Sequence, residues 1–168
     1  MTGLLADLFA QYHGPLVRML YRRTGDADRA EDIAQEVFAR AVAAPPRNPR
    51  PWLFAVALNL VREEGRKTTR RGRRLVLYKA EQAEAAPSAD QEMDRRERIG
   101  LVRTALDTLN ERDREALLLK AEGFNYDEIA ATLGLARGAI GTTLCRARRR
   151  LVLAYRAGAG KDTEHVAS

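Results

Sequence analysis

The chain has 168 residues, with 29 Lys and Arg against 23 Asp and Glu, a formal net charge of +6 and a pI near 9.9. That size allows one domain or two small ones, and the charge favours a polyanionic partner, whether DNA, RNA or an anionic membrane. A single cysteine, Cys145, excludes an internal disulfide and a thiolate cluster for zinc, and two histidines argue against a histidine-based metal site. No apolar run is long enough to span a bilayer, and the N-terminus has no signal-peptide pattern, so a cytoplasmic protein without membrane insertion is expected. Richness in Ala, Leu, Arg and Glu without an alternating strand pattern points to an all-α fold.

The first element spans Leu4 to Arg23, with Leu4, Leu5, Leu8, Phe9, Tyr12, Leu16, Val17, Leu20 and Tyr21 at helical spacing. Gly14-Pro15 can kink or restart it, Gly25 ends it, and Asp26 can cap the next helix. That second helix runs to about Ala44 and buries a stripe of Ala30, Ile33, Ala34, Val37, Phe38 and Ala41. Asp32, Gln35 and Glu36 project from its other side. They form either a solvated face, with Asp28 and Glu31 favourably near a helix N-terminus, or a docking face for a basic protein surface. Asp28, Glu31, Asp32 and Glu36 also suit Mg²⁺ in principle, but no lysine, histidine or phosphate-binding loop accompanies them, so catalysis is not expected.

The stretch from Ala43 to Pro51 reads as a stiff, non-helical loop, because its prolines lack donors and restrict their neighbours. It carries Arg47, Asn48 and Arg50. A third helix starts at Trp52, with Trp52, Leu53, Val56, Ala57, Leu60 and Val61 toward a core and Asn59, Arg62 and Arg66 on another stripe. A Trp at helical spacing is more often core than a base-stacking platform. Even so, polar, aromatic and basic groups stand together here as single-stranded nucleic acid requires. Basic residues follow from Arg62 through Lys67 to Arg74. Residues 75–95 lack a sustained period and read as a linker.

A second helical domain is expected over 96–157. Its first helix buries Leu101, Val102, Ala105, Leu106 and Leu109, and Asn110 with Asp113 caps the next, which ends at Gly123. Asn125 and Glu128 have capping-box spacing, Gly134 supplies a sharp turn, and Ile140, Leu144, Ala147 and Leu151 line one face of a final helix. Two short helices joined by a tight turn form a helix-turn-helix, which places its second helix in the DNA major groove. Arg137, Arg146, Arg148 and Arg149 fall on the other sides of that helix. Cations are also favoured at any helix C-terminus, but the turn and the caps make DNA contact the better explanation. Cys145 has nothing nearby to activate it, and 158–168 reads as a disordered tail.

Two segments together carry a family resemblance. RAEDIAQEVFARAV (Arg29 to Val42) resembles region 2 of bacterial sigma-70-type factors, most like the small extracytoplasmic-function group. Ala105 to Leu151, including NYDEIAATLGLARGAIGTTLCRARRR, resembles their region 4. The resemblance implies a region 2 domain over 1–74 and a region 4 domain over 96–157, joined by a flexible linker. Asp32, Gln35 and Glu36 would dock on the polymerase clamp helices, which favours the docking face over the solvated one. Arg47, Asn48, Arg50, Trp52 and Asn59 would open the −10 element and hold a flipped base, and Arg62, Arg66 and Lys67 would hold nearby phosphates. Arg137, Thr142, Thr143, Arg146, Arg148 and Arg149 would read the −35 element, with Arg137 and Arg146 the best base-edge candidates.

Core RNA polymerase (clamp helices and flap region), promoter DNA and an anti-sigma factor are the implied partners, and no cofactor or metal is implied. The chain departs from the family where Gly141 and Thr143 replace usual basic side chains. Ala57 and Glu63 likewise depart near two region 2 positions. Unusual or weaker promoter contacts are the expected consequence. The alternatives are a stand-alone helix-turn-helix regulator, a module governed by sequestration, and a Mg²⁺-dependent nuclease.

Overall fold

In a computed structural model the chain is described over residues 2–71 and 89–166. The described residues form seven α-helices and no strand: α1 Thr2–Thr24, α2 Ala27–Ala43, α3 Pro49–Arg71, α4 Ala89–Asp107, α5 Glu111–Ala121, α6 Tyr126–Leu133 and α7 Arg137–Val166. Among them no helix is long and apolar enough to cross a membrane.

The local signals explain most boundaries. The Asp26 side chain accepts from the Arg29 N–H at 3.1 Å and starts α2. Asn110 accepts from the Asp113 N–H at 2.8 Å and starts α5. At α6 the capping box is complete: Asn125 accepts from the Glu128 N–H at 2.8 Å, and Glu128 accepts from the Asn125 N–H at 2.9 Å. Gly134 then adopts φ +66°, the left-handed conformation that glycine enters without steric cost, and turns the chain into α7.

Four expectations change. Pro15 lies inside one continuous α1, so the Gly14-Pro15 step does not restart the helix. Helix α3 begins at Pro49 rather than Trp52, with both Pro49 and Pro51 in its first turn. The first N–H groups of a helix have no intrahelical acceptor, so proline costs nothing there, and its φ is already helical. Helix α4 begins at Ala89, seven residues before the expected start at Arg96, so the linker is shorter at that end; residues 72–88, which include Arg73 and Arg74, lie outside the described part. Finally, α7 continues to Val166 where 158–168 was expected to be disordered. Packing accounts for the extension at its root: α7 runs against α4, and the Gly158 α-carbon is turned toward Leu101, which a β-carbon there would meet at 3.5 Å.

Helices α1 to α3 bury Leu16, Met19, Leu20, Val37, Leu53 and Leu58 among themselves, while α5 to α7 bury Leu119, Ile129, Ile140 and Leu144. The two groups share one continuous apolar core. Phe54 of α3 meets Phe124, which precedes α6, edge to face with ring centroids 4.7 Å apart, and both are fully buried. Each half is small for a self-sufficient core, and mutual burial supplies apolar area that neither could bury alone.

Candidate nucleic-acid interface

Asp32, Gln35 and Glu36 are exposed on α2, opposite its buried stripe. Glu36 accepts from Arg40 Nε at 2.8 Å, one turn along the same face. The result is an acidic, solvent-facing patch fixed on a helix whose other side is locked in the core, suited to a cationic protein surface and repellent to DNA.

The segment from Arg47 to Lys67 divides by environment. Arg47, Asn48, Asn59, Arg66 and Lys67 are exposed. Trp52 is half-buried and packs on the core, as its helical spacing suggested. Arg50 and Arg62 are engaged by the C-terminal helices. Arg50 Nη1 lies 3.0 Å from both Glu128 carboxylate oxygens, its Nη2 donates to the Glu122 carbonyl at 3.1 Å, and its guanidinium sits 4.2 Å above the Phe124 ring. Arg62 Nε donates to Glu115 at 2.9 Å, and its Nη2 makes a second, closer contact with that carboxylate. The same arginine donates to Asn59 Oδ1 at 3.0 Å. The hydrogen bonds that Arg62 donates to Glu115 hold its guanidinium above its usual pKa. A cleft of about 460 Å³ opens beside this junction, with Tyr12, Arg18, Asn48, Arg50, Glu122 and Glu128 among its walls.

In the helix-turn-helix, Arg137 is exposed at the start of α7 and pairs with Asp127. Thr142, Arg148 and Arg149 are exposed, but Thr143 is only 4% exposed and faces the core, so it is removed from the expected DNA-reading set. One position along a helix turns the side chain by about 100°, which is enough to separate Thr142 from Thr143. Arg146 Nη2 donates to Asp113 at 3.0 Å, and Arg150 Nη1 reaches the same carboxylate at 3.1 Å. Asp113 is fully buried, so these two arginines are partly committed to holding α7 on α5. The Asp113 hydrogen bond raises the pKa of Arg146.

Sequence reasoning missed Glu115, Glu122 and Phe124 as site neighbours, and also Arg18 and Arg22, which both bind Glu122. Their partners lie 100 and 104 residues away, beyond any local spacing signal.

Comparison with known proteins fits this arrangement. Residues 8–71 match the family model for sigma-70 region 2, and residues 99–151 match that for sigma-70 region 4. The ECF RNA polymerase sigma factor EcfG of Rhodopseudomonas palustris is 37% identical over 134 residues, covering 76% of this chain and 72% of that protein. This chain belongs to the extracytoplasmic-function (ECF) group of sigma-70 factors. The ECF sigma factor SigL of Mycobacterium tuberculosis is 31% identical over 159 residues, covering 90% of this chain and 89% of that protein. Among solved structures, the sigma factor RpoE of Bartonella quintana, in complex with the anti-sigma factor NepR, has a TM-score of 0.61 at 28% identity. The match covers 92% of this chain and 95% of that one. As an RNA polymerase sigma factor, the chain serves transcription initiation with core polymerase and promoter DNA as its partners; the stand-alone regulator is not favoured, because region 2 accompanies the helix-turn-helix.

Proposed function

We propose that this sigma factor divides its work by helix face. The acidic patch of Asp32, Gln35 and Glu36 docks on the clamp helices of core polymerase. Arg47, Asn48, Arg50, Trp52 and Asn59 receive the non-template −10 strand, with Arg62, Arg66 and Lys67 on its phosphates. Unpairing a base costs a few kcal/mol, which contacts to the extruded strand offset. Helix α7 enters the −35 major groove through Arg137 and Thr142, with Arg148 and Arg149 on phosphates and Arg146 anchored beside them. The single observation that carries docking is the exposure of three polar residues, two of them acidic, on a helix whose opposite face is core. The protein itself performs no bond chemistry, acts in the cytoplasm with polymerase, and is held in check by an anti-sigma protein, as the Bartonella quintana relative is bound by NepR.

Asp32→Arg tests the docking face. The side chain is exposed, so the fold should survive. Co-elution with core polymerase is expected to be lost while binding of duplex −35 DNA is retained. Unchanged co-elution would place the docking surface elsewhere.

A further inference from the structure

The contacts between the two halves of the molecule are of an unusual kind. The Glu122 side chain is 2% exposed and is gripped by Arg18 Nη2 at 2.8 Å and by Arg22 Nη1 at 3.0 Å, both from α1. Glu115 is 1% exposed and receives Arg62. Glu128, already the N3 partner of its own capping box, receives Arg50. Glu111 also stands 3.7 Å from Arg62, so four carboxylates of the C-terminal half meet four arginines of the N-terminal half. Two of those arginines, Arg50 and Arg62, are ones assigned above to the −10 strand.

A carboxylate that accepts from a guanidinium through two oxygens presents the same fork of acceptors as a phosphodiester. We infer that Glu115 and Glu128 act as internal stand-ins for DNA phosphates, that Glu122 latches the two halves together, and that the free protein closes over its own −10 interface. The inference rests on the assignment of Arg50 and Arg62 proposed above. A −10 strand must displace both carboxylates to reach these guanidinium groups, whose side chains are only 30% and 27% exposed in the closed form.

The closed interface is also built to open. Arg23 of α1 and Arg114 of α5 are brought together within it, and the Nε of each is buried without a hydrogen-bond partner. Burial, and then the neighbouring Arg114 charge, lowers the pKa of Arg23. The two unsatisfied donors oppose closure, and Asp107, 3.7 Å from Arg114, offsets part of the like-charge contact, while the Glu–Arg pairs and the Phe54–Phe124 contact favour closure. A partner that offers polyanion to Arg50 and Arg62 removes favourable pairs and leaves the unsatisfied donors of Arg23 and Arg114.

The experiment uses the full chain, with donor and acceptor dyes on the exposed native Cys145 and on an introduced Ala39→Cys. Energy transfer between them reports closure, and a fluorescent single-stranded oligonucleotide, selected by the protein itself, reports −10 binding. Glu122→Arg should lower transfer and tighten oligonucleotide binding about tenfold, the factor expected if about one molecule in ten is open before substitution. Glu97→Arg, a change of the same charge at an exposed site on α4, should do neither. Arg18→Glu/Arg22→Glu/Glu122→Arg, with the charges exchanged, should restore transfer. Unchanged transfer in Glu122→Arg, or failure of the exchange to restore it, overturns the latch. Lower transfer with affinity no better than in Glu97→Arg overturns the masking. Arg50→Ala/Arg62→Ala, added to Glu122→Arg, then shows which premise failed: loss of binding keeps these arginines on DNA, and unchanged binding removes them.

Discussion

The Asp113 carboxylate, 0% exposed, accepts from Arg146 and Arg150 of α7 while its backbone N–H donates to Asn110. One residue thus joins the start of α5 to the middle of α7, the second helix of the helix-turn-helix. Replacing it with alanine removes the charge-assisted bonds but frees two arginines that are already half-exposed and can turn to water. The expected cost is therefore about 1–3 kcal/mol, below that of stranding a buried charge. Urea denaturation of Asp113→Ala checks the magnitude, and a loss under about 0.5 kcal/mol, the level of an ordinary surface change, would show that the network holds nothing in place. The sequence identified Asp113 as a cap residue because Asn110 stands three positions away. Its second role spans 33 and 37 residues, a separation at which no periodicity exists to be read.

Among the elements, those announced by local chemistry were legible: the caps at Asp26, Asn110 and Asn125 and the turn at Gly134 all act within one helical turn of their signals. The apolar stripe of α2 was legible for the same reason, because burial follows the helical period residue by residue. The start of α3 was not, because Pro49 and Pro51 break a helix interior yet fit a first turn, and only the position of the turn distinguishes the two. Within α7, Gly141 is a weak helix residue at a site with room. A β-carbon there would stand 3.6 Å from the Tyr126 ring, an ordinary contact distance. Gly141→Ala is expected to stabilise the protein by about 0.5–1 kcal/mol, since helical glycine forfeits that much backbone entropy. A lower thermal midpoint in that variant would mean that the contact with Tyr126 is a clash and that α7 needs the glycine to seat on α6.

For the whole molecule, the order of helices, the all-α class and the region 2 and region 4 segments were visible in the chain, while the packing of its halves was not. Phe54 and Phe124 each look like an ordinary core residue of its own segment, and only tertiary structure makes them one contact. The four arginines and four glutamates of this junction look like solvated charge until the two halves are brought together. This is why Arg50 and Arg62 could be proposed for the −10 element from sequence while the glutamates that pair with them could not. The closed shape also sets how the factor meets polymerase. The face of α2 proposed to dock stays exposed, so on this proposal core can engage before the halves separate and Arg50 and Arg62 are released.

Run-off transcription with bacterial core RNA polymerase, on promoter DNA selected by the protein, bears most directly on the assignment of work to these faces. The account predicts a transcript from one defined start only when the protein is present, and none with Asp32→Arg. A protein that binds the duplex, fails to co-elute with core and yields no transcript would contradict it.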